Sequence, residues 1–157
     1  MTLHYKRYGM NYKFIYLAGP IEGVNAEERD DWRQLADLQF DNKTNFVKGI
    51  NPGRNQDTPY DGTYADAQRI VQNNYNDCKM CDAILAYLPK EINNRRPSYG
   101  AAFEIAWFIE MRKPIVIVTD DDYVKYHPMF KAHTSYIYDT LDEGVDQIVD
   151  LFNDFVT

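Results

Sequence analysis

The sequence predicts an α/β domain: a mainly parallel sheet of about five strands with helices on both faces, a three-layer sandwich. Three observations lead there. Short β-rich runs alternate with longer segments of helical period, Gly and Pro punctuate the junctions, and the 157 residues suit one compact core. Alternating strands and helices imply right-handed crossovers, which set successive strands parallel. One domain is expected over 1–157, with 1–12 as a polar, Tyr-rich extension in which Met10 offers an alternative start.

The first strand is expected at 13–18 (KFIYLA), stopped by Gly19-Pro20. Segment 26–40 reads as an amphipathic helix. Trp32, Leu35, Ala36 and Leu38 supply its apolar positions, and Glu27, Glu28, Asp30 and Asp31 put acid near its amino end, where the helix dipole favours it. A second strand at 46–50 closes on Asn51-Pro52-Gly53, and 54–63 follows as a long polar loop. From 64 to 80 the spacing of Ala67, Ile70, Val71, Asn74, Cys78 and Cys81 suits a helix, and 82–88 (DAILAYL) is the best central strand. A polar loop carrying Arg95 and Arg96 leads to a helix at about 99–111. Then come a β-branched strand at 115–118, a short edge strand within 135–138, and a closing helix at 141–155 built on Leu141, Val145, Ile148, Val149 and Phe152.

Open parallel sheets bind ligands beyond the carboxyl ends of their strands. The loops to watch are therefore 19–25, 51–63 and 89–100. Composition narrows what binds there. A net charge of −7 sets the average field against a nucleic-acid polymer, whereas a small anion needs only one Arg and a few backbone N–H groups. No run approaches the length of a membrane span and the start lacks a signal-peptide core, so no membrane partner and a cytoplasmic location are expected. Cys78 and Cys81 form a C-x-x-C at the end of a predicted helix, whereas redox pairs open one, and they read as two partly buried thiols. With His4, His127 and His133 scattered, no metal site is assembled, and the absence of G-x-G-x-x-G and G-x-x-x-x-G-K-[ST] points to no cofactor.

Glu104 is the one carboxylate in the apolar stretch 97–109. Burying it unpartnered is costly, so it is paired, protonated, or held against a polar cavity; the plain alternative is a Glu on an exposed stripe or capping its own helix. Ser98 and Gly100 stand just before this helix, where free N–H groups and a hydroxyl hold an anion or sugar hydroxyl, although Ser98 equally suits a plain N-cap. Gly19-Pro20 lets a ligand approach the backbone, as many simple turns do. Of Asp77 and Asp82, one is positioned to hold a hydroxyl or base and the other to cap or pair. Asp77 is preferred because Cys78 and Cys81 take the core face.

Together, Tyr16-Leu17-Ala18-Gly19-Pro20, Asp77 ahead of the Cys81-Asp82-Ala83-Ile84-Leu85 strand, Ser98-x-Gly100-x-x-x-Glu104-Ile105 and Lys113-Pro114-Ile115-Val116 resemble the nucleoside 2-deoxyribosyltransferase family. The resemblance runs from about Lys13 to Val118. It implies a flavodoxin-like, Rossmann-like fold and a homo-oligomer, dimer or larger, in which neighbouring subunits help complete each site. It further implies that Glu104 attacks C1′ of a deoxynucleoside or deoxynucleotide, that the covalent deoxyribosyl-enzyme passes its sugar to a free nucleobase or to water, that Tyr16 orients Glu104, and that Asp77 handles the base.

Two departures bear on substrate. Transferases acting on free nucleosides often carry Asp where Ser98 stands. Related deoxynucleoside 5′-monophosphate N-glycosidases carry Ser there, beside the 5′-phosphate, with Arg54, Arg95 or Arg96 as candidate countercharge here. A neighbouring subunit commonly offers an Asn, for which this chain has His127 as the candidate substitute. A nucleotide-binding module without turnover is the competing reading.

Overall fold

The computed structural model describes residues 11–55 and 58–153. Residues 1–10 of the expected extension and Phe155 of the last helix lie outside them. Among the described residues the sheet has five strands, all parallel, in the order β2-β1-β3-β4-β5. They are β1 (Lys13–Ala18), β2 (Val47–Ile50), β3 (Ala83–Tyr87), β4 (Ile115–Val118) and β5 (Ile137–Tyr138). This is the flavodoxin-like order, with the switch point between β1 and β3.

The alternation of β1 sorts the interior into two cores. Ile15 and Leu17 face helices α1 (Ala26–Lys43) and α7 (Leu141–Asn153), packed with Trp32, Phe40, Val145 and Ile148. Tyr16 and Ala18 face α2 (Tyr64–Met80) and α4 (Tyr99–Glu110), packed with Cys78, Ile105 and Phe108. Helix α7 lies so close to the sheet that a Cβ on Gly144 would stand 3.1 Å from Leu85 Cδ1. Only a residue without a side chain fits there.

Helix α1 starts as expected, with an Asn25 and Glu28 capping box, but its buried stripe differs. Trp32, Arg33, Ala36 and Phe40 are buried, whereas Leu35 and Leu38 are 47% and 56% exposed. Three and six residues on from Trp32, they rotate to the flank away from the sheet. The polar loop after β3 contains a short helix, α3 (Lys90–Arg95), and α5 (Asp122–Lys125) and α6 (Pro128–Lys131) follow β4. Helices of one turn or little more carry no apolar period to read. Among the described residues no helix is long and apolar enough to cross a membrane.

Candidate active site

At the carboxyl rim of β1, between α2 and α4, lies a cavity of about 560 Å³. Gly19, Pro20, Ser98, Gly100 and Glu104 line it, with the α2 residues Ala67, Ile70, Val71 and Asn74 opposite and Arg95 and Arg96 at its edge. A volume of this size suits a small molecule of several rings. The first half of the α2 spacing, Ala67, Ile70, Val71 and Asn74, faces this hollow, and only Asp77 and Cys78 near the carboxyl end of the helix are buried.

Glu104 is placed by helical period. Ala101, Glu104, Ile105 and Phe108 form the buried stripe of α4, and the carboxylate is 5% exposed. The strand pleat turns Tyr16 toward the same face, where its hydroxyl donates a short hydrogen bond to Glu104 Oε2. Burial pushes Glu104 up to about 7, against the opposing pull of the Tyr16 hydroxyl and the Arg33 cation, while Asp77 adds to the rise. Tyr16 itself is driven well above its ordinary value, first by burial and then by the neighbouring carboxylate. The result is a carboxylate half ionised near neutrality, in reach of a ligand and fixed in orientation.

The opposite face of α4 is far from hidden. Tyr99 and Phe103 are 75% and 65% exposed, and Trp107 follows one turn on, edge to face with Tyr75 of α2 at 5.2 Å. An aromatic outer stripe runs along this helix and borders the cavity through Tyr99.

Gly19 is required by packing. A Cβ there would stand 2.9 Å from Trp32 Cζ2 and 3.0 Å from the Tyr87 carbonyl oxygen. Ser98 caps α4, its Oγ accepting from the Ala101 N–H at 3.3 Å, and lines the cavity as well. The N-cap reading of Ser98 therefore holds, and the residue also stands where a ligand would pass.

Asp77 and Arg54 are brought together rather than to the ligand space. Arg54, in the 3₁₀ turn Pro52–Asn55, donates from Nη1 and Nη2 to the two Asp77 carboxylate oxygens at 2.8 and 2.7 Å. Neither is among the residues lining the cavity, because the turn after β2 delivers a guanidinium onto the outer end of α2. Arg95 is engaged too, by Glu28 at 2.6 Å. Arg96 lines the cavity without an ion pair among the described residues, its Nε 2.8 Å from where a Cβ on Gly23 would stand. His127 caps α6, accepting from Met129 N–H at 3.3 Å between Tyr123 and Phe130, away from this cavity. Cys78 and Cys81 are buried free thiols, both pushed well up by burial, which makes them inert.

Two residues escaped sequence reasoning. Asn74 was counted into an apolar stripe, and a polar amide within such a stripe was the available signal. Arg33 gave none, since an Arg beside Trp32 on an amphipathic helix reads as a boundary residue. It is 1% exposed. Its guanidinium donates to the carbonyls of Leu17 at 2.9 Å and Gly19 at 3.0 Å and makes a short bond to that of Arg29.

A flavodoxin-like sheet with a cavity of small-molecule size at its carboxyl rim and a buried acid in the wall defines the class: an open parallel α/β domain. The family model described as nucleoside 2-deoxyribosyltransferase matches residues 15–149, and the chain belongs to that family, one of glycosyl-transferring enzymes. Similar solved structures include the 2-deoxyribosyltransferase of Bacillus psychrosaccharolyticus, with 16% identity over 83% of this chain and 88% of that one and a TM-score of 0.62. The CMP N-glycosidase BcmB of Clostridium botulinum shares 18% identity over 89% of this chain and 99% of that one, TM-score 0.55. A conserved protein of Enterococcus faecalis V583 shares 19% over 87% of each, also at 0.55. At these identities the likeness establishes the fold. No curated protein sequence matches the chain.

Proposed function

We propose that this chain cleaves the N-glycosidic bond of a 2′-deoxynucleoside or its 5′-monophosphate and transfers the sugar to a second nucleobase. The Glu104 carboxylate attacks C1′, the C1′–N bond breaks, and its electron pair leaves with the base, which takes up a proton. An incoming base then attacks C1′, the ester to Glu104 breaks, the carboxylate is restored, and the new base gives up its proton. Tyr16 orients the nucleophile. Asn74, facing the cavity with a donor and an acceptor, meets the edge of the base, while Asp77 holds Arg54 and acts from a distance. The observation that carries the reading is the Tyr16-bound Glu104 carboxylate in the cavity wall.

A second outcome is hydrolysis of a nucleoside 5′-monophosphate, favoured by Arg96, which lines the cavity with Ser98 and has no ion pair among the described residues. The active form on either reading is a homo-oligomer whose subunits cover the exposed Tyr99 and Phe103 and the half-buried Trp107 beside them, since so exposed a pair of aromatic rings favours association. His127 would then be judged by whether it reaches a neighbour's cavity.

Incubating the protein with a deoxynucleoside or its monophosphate, with and without a second base, tests the proposal by chromatography. Base exchange marks transfer, and free sugar or sugar phosphate marks hydrolysis. If neither forms and Glu104→Ala binds ligand as tightly as the parent, the chain is a binding module and the proposal fails.

A further inference from the structure

Arg33 is the most deeply buried charged side chain among the described residues, and no carboxylate lies within ion-pair distance of it there. An unpaired buried cation is costly, and bonds to three carbonyls with Trp32 stacked 4.6 Å away offset only part of that cost. A neutral donor would bind carbonyls more cheaply. The feature that calls for a full charge lies across the end of β1, where the Glu104 carboxylate favours the Arg33 cation, as Asp30 does on its own helix.

We propose that Arg33 is a positioning residue for glycosyl transfer. Its guanidinium ties the Leu17 and Gly19 carbonyls, which fixes the strand end beside Tyr16 and the Gly19-Pro20 wall, and its charge favours the ionised form of Glu104. The inference rests on Glu104 being the nucleophile. The other groups acting on Glu104 are Tyr16 from β1 and Asp77 from α2, with the Cys78 thiol adjacent; Arg54 neutralises Asp77, and Glu22, Arg95 and Arg96 stand around the cavity. Among the described residues Arg33 is the cation whose field draws the Glu104 carboxyl down against burial.

Two variants of the full chain separate charge from tether. Arg33→Lys keeps the charge and loses the fork, whereas Arg33→Gln keeps a donor and loses the charge. The ionisation midpoint of Glu104 is read by carbon NMR of labelled carboxyls, assigned through Glu104→Gln, and the pH profile of kcat/KM is read alongside. Arg33→Gln should raise the midpoint by about one pH unit and lower kcat/KM about tenfold on the acid side, with the basic side less affected. Arg33→Lys should hold the midpoint and lower kcat about tenfold with KM little changed, as a loosened wall would. A folded Arg33→Gln with an unmoved midpoint overturns the charge role. Should that variant not fold, Arg33→Lys decides: kcat at the parent level, or a midpoint displaced despite the retained charge, overturns the proposal. If the parent turns over no nucleoside or nucleotide, that result counts against glycosyl transfer alone, and the NMR midpoints still decide whether Arg33 sets the charge state of Glu104.

Discussion

The two faces of the sheet start from the same pleat and end differently. Under α1 and α7 the space is filled: Gly144 lets a helix onto the strands, and Gly19 is walled by Trp32. Under α2 and α4 the carboxyl end is hollow, because the first half of α2 stands off the sheet and leaves Ala67, Ile70 and Asn74 facing a void. The filled side also sets the Arg33 guanidinium of α1 on the carbonyls at the end of β1. One face is packed solid, and the other holds the space and the buried Glu104 carboxylate.

The comparison breaks most visibly at Glu104. Replacing it by Gln should remove turnover by about a thousandfold or more while leaving circular dichroism unchanged, and retained activity would displace the reactive group from the hollow side. The same variant should be more stable above neutrality. An unfolded Glu titrates at its ordinary 4.5 and the folded one at about 7, so the folded state binds more protons between those values. The contribution to stability is complete below 4.5 and is lost as pH rises through 7. Urea melts at pH 8 should therefore favour Glu104→Gln by up to about 3 kcal/mol, with little advantage at pH 4.

Tyr16→Phe deletes one hydrogen bond to a charged acceptor, and kcat should fall about thirtyfold with the acid limb of kcat/KM moved upward; an unmoved limb would detach Tyr16 from the ionisation of Glu104. On the filled side, Gly19→Ala should cost about 1–3 kcal/mol in thermal or urea melts, since the added carbon meets the Trp32 ring and a backbone oxygen. Smallest of all, Leu35→Lys should shift stability by no more than about 0.5 kcal/mol; a larger loss would mean that this flank of α1 is covered in the native assembly.

The layered fold was legible because strand and helix periods are long-range regularities: β1, α2 and β4 begin and end where the pattern places them. Glu104 was legible because a carboxylate in an apolar stripe is a local contradiction. The pairing of Asp77 with Arg54 was not, since 23 residues and a turn separate them and no local rule joins them. Arg33 was hidden for a related reason. Its partners are backbone carbonyls, which every sequence supplies everywhere.

Cavity shape and carboxylate acidity belong to different residues. Ala67, Ile70, Val71, Asn74 and Ser98 bound the ligand space, whereas Tyr16, Arg33 and Asp77 bias the proton on Glu104 from β1, α1 and α2. Substitutions along one helix face can thus exchange one guest molecule for another without altering the pH at which the enzyme works. Changes at those three positions, none of which lines the cavity, should carry an unchanged specificity into a more acidic or more alkaline habitat.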